Sequence, residues 1–296
     1  MEYVDQNRNV SISREKIGRL GLFKHLAVAG QGYLPSLRYY TRVAGIIFQY
    51  IEYMNRGALS ANRFSEPPAS RRDPTEKGHF SNLVGKGIGD FLAKRLSGAK
   101  ITHSYEAAMT LAGIKIQGRR PDLYCLGEKV QFAAEAKGYA AGSISAMEML
   151  KYKNQAMSGP LPVNFSIASV SFNLYERVCC KYYDPFDRAV EFNSSLNSEL
   201  NRLYYSGIYE YLDYTFFRIE EGEIHNRQCF FIDIIGHGTP FSISFGDWNL
   251  ALILQSNFKR FTIKESTSFN ETTIQEPGIY LDTDGIGFCM RRFASK

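Results

Sequence analysis

The sequence predicts an α/β protein in which helices flank a mixed sheet, and three observations support this class. Apolar residues recur at helical spacing over residues 36–56 and again in a segment that starts at Asp73. Two short apolar runs, residues 123–126 and 130–136, flank a polar turn with a glycine, which is typical of a β-hairpin. Residues 163–173 alternate apolar and small polar side chains, as strands do. A chain of 296 residues is long enough to bury such a core.

The composition is that of a globular protein, with 44% hydrophobic and 22% charged residues. No apolar run approaches the roughly 18 residues of a membrane span, and the first residues lack the apolar region of a signal peptide. We therefore expect a cytoplasmic protein without a membrane partner. The five cysteines are odd in number and form no C-x-x-C pair, which argues against a disulfide framework or a zinc site.

The first third of the chain is predicted to be helical. Residues 12–28 have the spacing of a basic amphipathic helix, and residues 36–56 predict a second one. Residues 57–74 are rich in Pro, Ser, Ala and Arg, which indicates a linker or an exposed loop. These patterns divide the chain into a helical N-terminal region, residues 1–65, and a larger unit, residues 70–296.

A third helix is predicted from Asp73 to about Leu96. Asp73 suits the N-cap, Pro74 suits the first turn, and Glu76 completes a capping box. Four glycines interrupt this segment, and each is unfavourable in a helix by up to about 1 kcal/mol. They predict either the close approach of another backbone or a break into two shorter helices.

The hairpin brings three chemically active side chains together. Asp122 begins its first run, while Glu135 and Lys137 lie two positions apart near the end of its second. Residues i and i+2 of a strand share a face, and an antiparallel return places them beside Asp122. Two carboxylates and an ammonium should therefore meet at the rim of a sheet. The simpler interpretation is a salt bridge at a sheet edge, but such a cluster is costly without a metal or substrate.

Pro121-Asp122 and Glu135-Ala136-Lys137 resemble the active-site motif of the PD-(D/E)xK nuclease superfamily. The resemblance covers about residues 75–180 and implies a restriction-endonuclease-like core within residues 70–296, with a C-terminal α+β extension. It also implies that Asp122, Glu135 and the carbonyl of Ala136 bind Mg²⁺, with Mn²⁺ as a substitute. Lys137 would then position the attacking water or neutralise the phosphate.

The resemblance extends to the helices on either side of the hairpin. Such nucleases often carry a further acid on the preceding helix, and Asp90 in Gly87-Ile88-Gly89-Asp90 matches that position, with Glu76 and Glu106 as alternatives. In such nucleases the following helix, predicted here over residues 144–157, often supplies a Gln or Lys that contacts the substrate phosphate or the attacking water. Gln155 and Lys151 lie four apart there and share a face, which is equally typical of a solvated helix.

Charge is unevenly distributed along the chain. Residues 1–120 contain 19 Lys/Arg and 9 Asp/Glu, while residues 121–296 contain 16 Lys/Arg and 21 Asp/Glu. A basic half beside a carboxylate site fits a polyanionic substrate such as DNA, although ordinary surface charge would look similar. The basic residues expected to contact DNA are Arg71, Arg72, Arg119, Arg120 and Lys151.

The C-terminal third contains no recognisable chemistry. Residues 186–214 are predicted to be helical, residues 228–235, 240–245 and 280–290 to form strands, and residues 247–254 to form a short helix. Asp284-Gly285 is typical of a tight hairpin turn. This part could extend the sheet, recognise sequence or form an oligomer interface.

Three functions follow as expectations. The first is a Mg²⁺-dependent DNA endonuclease of the restriction or phage-defence type, for which a homodimer is one expected assembly. The second is a repair or junction-resolving nuclease. The third is a nucleic-acid-binding module that keeps the fold without cleaving, against which the presence of Asp122, Glu135 and Lys137 argues.

Overall fold

The computed structural model describes residues 1–5, 7–30, 36–66, 73–184, 194–209, 212, 217–236, 239, 248–256 and 272–292, with the backbone alone for residues 36–40. The helices of these residues are α1 (Arg19–Val28), α2 (Ser36–Tyr50), α3 (Arg56–Ser60), α4 (Pro74–Leu96), α5 (Tyr105–Leu111), α6 (Ala146–Met157) and α7 (Ser194–Tyr209). The strands are β1 (Glu2–Val4), β2 (Val10–Ile12), β3 (Ile101–Ser104), β4 (Leu123–Leu126), β5 (Gln131–Gly138), β6 (Phe165–Phe172), β7 (Cys179–Tyr183), β8 (Arg218–Ile224), β9 (Arg227–Ile235), β10 (Trp248–Gln255), β11 (Ile274–Glu276), β12 (Ile279–Leu281) and β13 (Ile286–Arg292).

The predicted hairpin lies in a seven-stranded mixed sheet with the order β2-β1-β7-β6-β5-β4-β3. β5 pairs with β6 in parallel and β1 with β7 in parallel, while the other neighbours are antiparallel. Helices flank this sheet, so the mixed α/β class is confirmed, and β6 continues the sheet of the hairpin as expected.

The C-terminal third does not extend this sheet. Its described strands form a separate six-stranded antiparallel sheet with the order β11-β12-β13-β10-β9-β8. Apolar residues of both sheets, among them Phe132, Ile232 and Phe288, belong to one continuous core. The two sheets therefore share a single hydrophobic interior.

Two predicted helices are partly or wholly strands. Residues 10–12 form β2, so the first helix begins at Arg19 and not at residue 12. The segment predicted as a short helix at residues 247–254 contains β10, a central strand of the second sheet. Its apolar run is buried on both faces and so has no alternation, and periodicity alone cannot distinguish such a strand from a helix. The strand predicted at residues 240–245 lies outside the described residues.

The glycines of α4 allow a close helix-to-sheet approach. The helix is unbroken, and Asp73 caps it by accepting a hydrogen bond from the Thr75 amide at 2.8 Å. A methyl group at Gly85 would lie 2.3 Å from the backbone nitrogen of Gly138 at the end of β5. One at Gly89 would lie 2.9 Å from the Cβ of Ala136. The close approach predicted from the sequence is confirmed, and the break is not.

Different helices cover the two faces of β5. Because Ala136 lies against Gly89, the even-numbered side chains of β5 point towards α4. On the opposite face, Met149 of α6 packs against Ala168 and Val170 of β6. Glu135 pairs in register with Ala168, and Lys137 pairs with Val170. Glu135 and Lys137 therefore lie on this second face, beneath α6.

Within the described residues, no helix is both long enough and apolar enough to cross a membrane.

Candidate active site

The hairpin register determines where Asp122 stands. Leu123 of β4 pairs with Ala134 of β5, so Asp122 lies opposite Glu135 on the face beneath α6. The Asp122 amide donates to the carbonyl of Ala134 at 3.1 Å. The Oδ2 of Asp122 in turn accepts a hydrogen bond from the amide of Ala136 at 2.9 Å. Backbone hydrogen bonds therefore hold this carboxylate at the rim of the sheet.

Lys137 bridges the two acids. Its Nζ lies 3.1 Å from Oδ2 of Asp122 and 2.6 Å from Oε1 of Glu135. The Lys137 side chain is 27% exposed and that of Asp122 is 34% exposed, so both are open to solvent. The structure thus brings together the three residues that the hairpin pattern predicted.

Glu135 is the most unusual member of the three. Its side chain is fully buried and its Oε1 lies 2.6 Å from the ammonium of Lys137, but neither carboxylate oxygen accepts a hydrogen bond of regular geometry among the described residues. Burial and the nearby charge of Asp122 raise the pKa of Glu135 to about 7, although Lys137 opposes the shift. The carboxylate is therefore costly to ionise in the absence of a further cation.

The same charges act on Lys137 in the opposite sense. Burial lowers the pKa of its ammonium, but the attraction of Asp122 and Glu135 outweighs burial and raises the pKa above its usual value. Lys137 is accordingly protonated at neutral pH in this arrangement.

A cavity of about 420 Å³ opens beside Asp122 at the rim. Basic residues form much of its wall, and its lining consists of Lys86, Ser104, Glu106, Gly118, Arg119, Arg120, Pro121, Asp122 and Gln155. A second cavity of about 640 Å³ lies along α6 and shares Arg119 and Gln155 with the first. Of the three hairpin residues, Asp122 lines the smaller cavity, and the larger cavity adjoins it at the two shared residues.

The expected basic and polar residues have different environments here. Arg119 is exposed and lines both cavities, and Lys151 is exposed in the larger one. The guanidinium of Arg120 is bound by Glu106, with 2.7 Å from Nε to Oε1, so its charge is largely compensated. Gln155 donates to the carbonyl of Arg120 at 3.2 Å and so holds the loop before Asp122. Arg71 and Arg72 lie outside the described residues.

Asp90 does not join the hairpin acids. It accepts hydrogen bonds from Thr102 and lies 2.5 Å from Nδ1 of His25. Thr102 of β3 pairs with Cys125 of β4, which pairs with Phe132 of β5, so these three side chains share one face of the sheet. Asp90 contacts Thr102 and therefore lies on the face of the even-numbered residues of β5, the face away from Glu135. The expectation that Asp90 shares a metal site with Glu135 is therefore wrong, because the sheet separates them.

The two alternatives to Asp90 are also engaged. Glu76, at the start of α4, accepts a hydrogen bond from the hydroxyl of Tyr53 at 3.3 Å. Glu106 lines the smaller cavity but is paired with Arg120. Neither carboxylate is free to approach Glu135.

The acid on α4 instead belongs to a buried ionic cluster that the sequence analysis missed. Nζ of Lys94 lies 2.6 Å from Asp284 and 3.2 Å from Asp282, and Nζ of Lys24 lies 2.7 Å from Asp284. Burial would raise the pKa of Asp90, but Lys94 and His25 hold it well below its usual value. All of these side chains are at most 3% exposed, so the cluster is closed to a substrate.

A sequence signal for this cluster exists in Asp282-x-Asp284, at the turn between β12 and β13. That spacing does not identify the cluster by itself, because Asp-x-Asp is also found in calcium-binding loops. In the structure the two aspartates bind lysines instead.

The donor set at the rim fits a hard divalent cation in part. Among the described residues, no group of three or more His, Cys, Asp or Glu side chains is arranged so that it could hold a metal ion. Asp122 and Glu135 nevertheless supply carboxylate oxygens, and those of Glu135 are buried with the ammonium of Lys137 beside them. Oxygen ligands of this kind suit Mg²⁺ or Mn²⁺.

Comparison of the chain with protein-family models, with curated proteins and with solved structures gave no match.

Proposed function

We propose that the protein is a Mg²⁺-dependent endonuclease that hydrolyses phosphodiester bonds in DNA. One observation carries this proposal. Asp122, Glu135 and Lys137 meet on one face at the rim of a sheet, and the buried carboxylate of Glu135 has no aligned donor in the described structure. A salt bridge that served stability alone would not leave a buried carboxylate in this state.

Asp122 and Glu135 would hold the cation, with the carbonyl of Ala136 as a further oxygen ligand. A bound Mg²⁺ would supply positive charge and Lewis acidity at the scissile phosphate. The charge of the cation would also reduce the repulsion between the two carboxylates, which Lys137 opposes in the structure.

Lys137 supplies charge to the reaction. The two carboxylates raise the pKa of Lys137 in the metal-free structure, and its ammonium would donate to a phosphate oxygen as negative charge develops there. A role as a general base would require the opposite shift. Arg119 lines the cavity beside Asp122 and would bind a neighbouring phosphate.

The charge distribution supports DNA as the substrate. The excess of Lys and Arg in residues 1–120 suits a polyanion, and the concave surface along α6 adds exposed Lys151 and Arg119 beside the acids. A homodimer would supply two such sites, one for each strand of a duplex.

Incubation of supercoiled plasmid with the full chain, in Mg²⁺ and separately in EDTA, tests the proposal. We expect cleavage in Mg²⁺ alone, and its loss in Asp122→Asn and Glu135→Gln. Glu128→Gln, an exposed position at the far turn of the same hairpin, is the matched control and should cut normally. Cleavage that persists in EDTA, or in either site variant, would contradict the assignment.

The products distinguish the kinds of nuclease. Discrete bands indicate a sequence-specific enzyme of the restriction or phage-defence type, and a smear indicates non-specific degradation. Selective cutting of branched DNA indicates a repair or junction-resolving enzyme. Binding of DNA without any cleavage would leave the non-cleaving module.

A further inference from the structure

The larger of the two cavities contains side chains that the hairpin motif does not use. Its volume of about 640 Å³ falls within the range of roughly 300–1,000 Å³ found for small-molecule sites. We call it the α6 cavity, and its lining includes Arg119, Met147, Leu150, Lys151, Tyr152 and Asn154. It adjoins the cavity beside Asp122 through Arg119 and Gln155, which line both.

The polarity of α6 is inverted at this cavity. Met147 is 80% exposed and Leu150 is 51% exposed, whereas Lys153 of the same helix is buried and its ammonium donates to the carbonyl of Ser166. A helix shaped by stability alone would bury the two apolar side chains and expose the lysine. Eight large apolar side chains are exposed among the described residues, and three of them lie on α6, the third being Met157. Such a cluster is typical of a binding surface, whereas single exposed apolar residues are not.

The α6 cavity is also cationic. Arg119 and Lys151 are exposed, and neither forms an ion pair within the described part of the chain. None of the described residues in its lining is acidic, so the cavity favours an anionic ligand. The exposed amide of Asn154 adds both a donor and an acceptor. The lining therefore suits a ligand that combines an anionic group, an apolar face and a hydrogen-bonding edge.

Hydrogen bonds hold the two walls of the cavity together. A capping box fixes the first turn of α6. At the other end of the helix, Gln155 donates to the carbonyl of Arg120 at 3.2 Å and the Ser158 hydroxyl donates to the carbonyl of Arg119 at 3.3 Å. The loop that carries Arg119 is thereby tied to the helix that carries the apolar side chains. A site with its walls held in this way loses less conformational entropy when a ligand binds.

An unpaired nucleotide is the part of a DNA molecule that has the required chemistry. Its phosphate is anionic, its base has a face that stacks on apolar or aromatic side chains, and the edge of the base forms hydrogen bonds. A duplex keeps its base faces stacked inside and presents phosphates outside. It would therefore cover Met147 and Leu150 with charged groups, which is unfavourable.

We propose that the α6 cavity binds an unpaired nucleotide next to the scissile phosphate, so that the substrate is DNA with a single-stranded segment at the cleavage position. For that position the inference rests on the proposed nuclease function. The base lies against Met147 and Leu150, its edge is bound by Asn154, and the neighbouring phosphates are bound by Arg119 and Lys151.

Fluorescence anisotropy of labelled oligonucleotides with the full chain in EDTA measures binding without cleavage. We expect a single strand of mixed sequence to bind at least about tenfold more tightly than a duplex of the same length, because one stacked base contributes an effect of this size. An abasic strand of the same length keeps the phosphates but lacks the base faces, and it should lose this advantage. Equal affinity for the single strand and the abasic strand would overturn the inference.

A double variant, Met147→Ser with Leu150→Ser, tests the apolar wall. It should bind the single strand no better than the abasic strand and should keep the wild-type affinity for the duplex, because both cations remain. The matched control is Ile12→Ser, which removes an apolar side chain that is 86% exposed on the edge strand β2, and it should bind all three ligands like the wild type. A double variant with the wild-type preference for the single strand would show that the base does not lie on these side chains.

A second copy of the chain is the other occupant that an exposed apolar helix face could take. Sedimentation velocity of the wild type and the double variant tests it, and we expect both to have the same oligomeric state. If the wild type is a dimer and the double variant a monomer with unchanged affinity for the single strand, the face is a protein interface and the inference is wrong.

Cleavage of the same oligonucleotides in Mg²⁺ separates this inference from the proposed function. If the wild type cuts DNA without preferring unpaired nucleotides, the α6 cavity is misassigned and the nuclease assignment stands. If the wild type prefers the single strand in EDTA through Met147 and Leu150 but cuts nothing in Mg²⁺, the nucleotide site stands and the nuclease assignment fails.

Discussion

Replacing Glu135 by glutamine should make the metal-free protein more stable. The pKa of this carboxyl is about 7 in the folded chain against 4.5 in its ordinary state. Between these two values the folded chain binds more protons than the unfolded chain, so the free energy of unfolding falls as pH rises. At about 1.4 kcal/mol per pKa unit, ionising Glu135 costs about 3 kcal/mol at pH 8 and about 1 kcal/mol at pH 5.

Glutamine removes this cost because it carries no charge and can donate to Asp122. In EDTA we expect Glu135→Gln to raise the free energy of unfolding by about 2–3 kcal/mol at pH 8, and by much less at pH 5. Urea unfolding followed by far-ultraviolet circular dichroism measures both values. Mg²⁺ should then stabilise the wild type but not the variant, since only the wild type keeps both carboxylates.

The control is Glu128→Gln at the exposed turn, which should leave stability unchanged at both pH values. A Glu135→Gln protein less stable than the wild type at pH 8 would refute the reasoning, because it would mean that the charged form is favoured by the fold. An equal change in the free energy of unfolding at pH 5 and pH 8 would also refute the reasoning.

Three other variants test separate parts of the structure. Lys137→Ala should lower turnover by about 10²- to 10⁴-fold at saturating Mg²⁺ while metal affinity stays equal or rises, and a wild-type rate would make the residue a structural ion-pair partner. Joint replacement of Arg119 and Lys151 by Gln should flatten the slope of log affinity against log salt by up to about 2, and an unchanged slope would mean that neither binds phosphate. Gly85→Ala should destabilise the protein by about 1–3 kcal/mol because its methyl group would collide with the backbone of β5, whereas Gly78→Ala on the open side of the same helix should be neutral or stabilising in thermal unfolding.

The hairpin and its three side chains were predictable because their geometry is local. Only 13 positions separate Asp122 from Glu135, and strand alternation fixes the shared face of Glu135 and Lys137. Asp90 was misplaced for the converse reason. The face of the sheet that a helix covers depends on long-range packing, which no spacing within the helix records.

The second sheet was the least predictable part. Its central strand β10 is an unbroken apolar run, and β8 is a polar run with three glutamates, so neither has the alternation of a half-buried strand.

The buried ionic cluster has a consequence for how the chain is made. Lys24 lies in the interior against Asp282 and Asp284, partners about 260 residues later. A ribosome adds roughly 5–20 residues per second, so the synthesis of Asp282 and Asp284 follows that of Lys24 by on the order of ten seconds or more. Until then the emerging N-terminal segment cannot bury this lysine without leaving an unpaired charge inside. We therefore expect native docking of α1 to be a late event in biosynthesis, so that this segment stays accessible to chaperones and proteases until the C-terminal strands have been made.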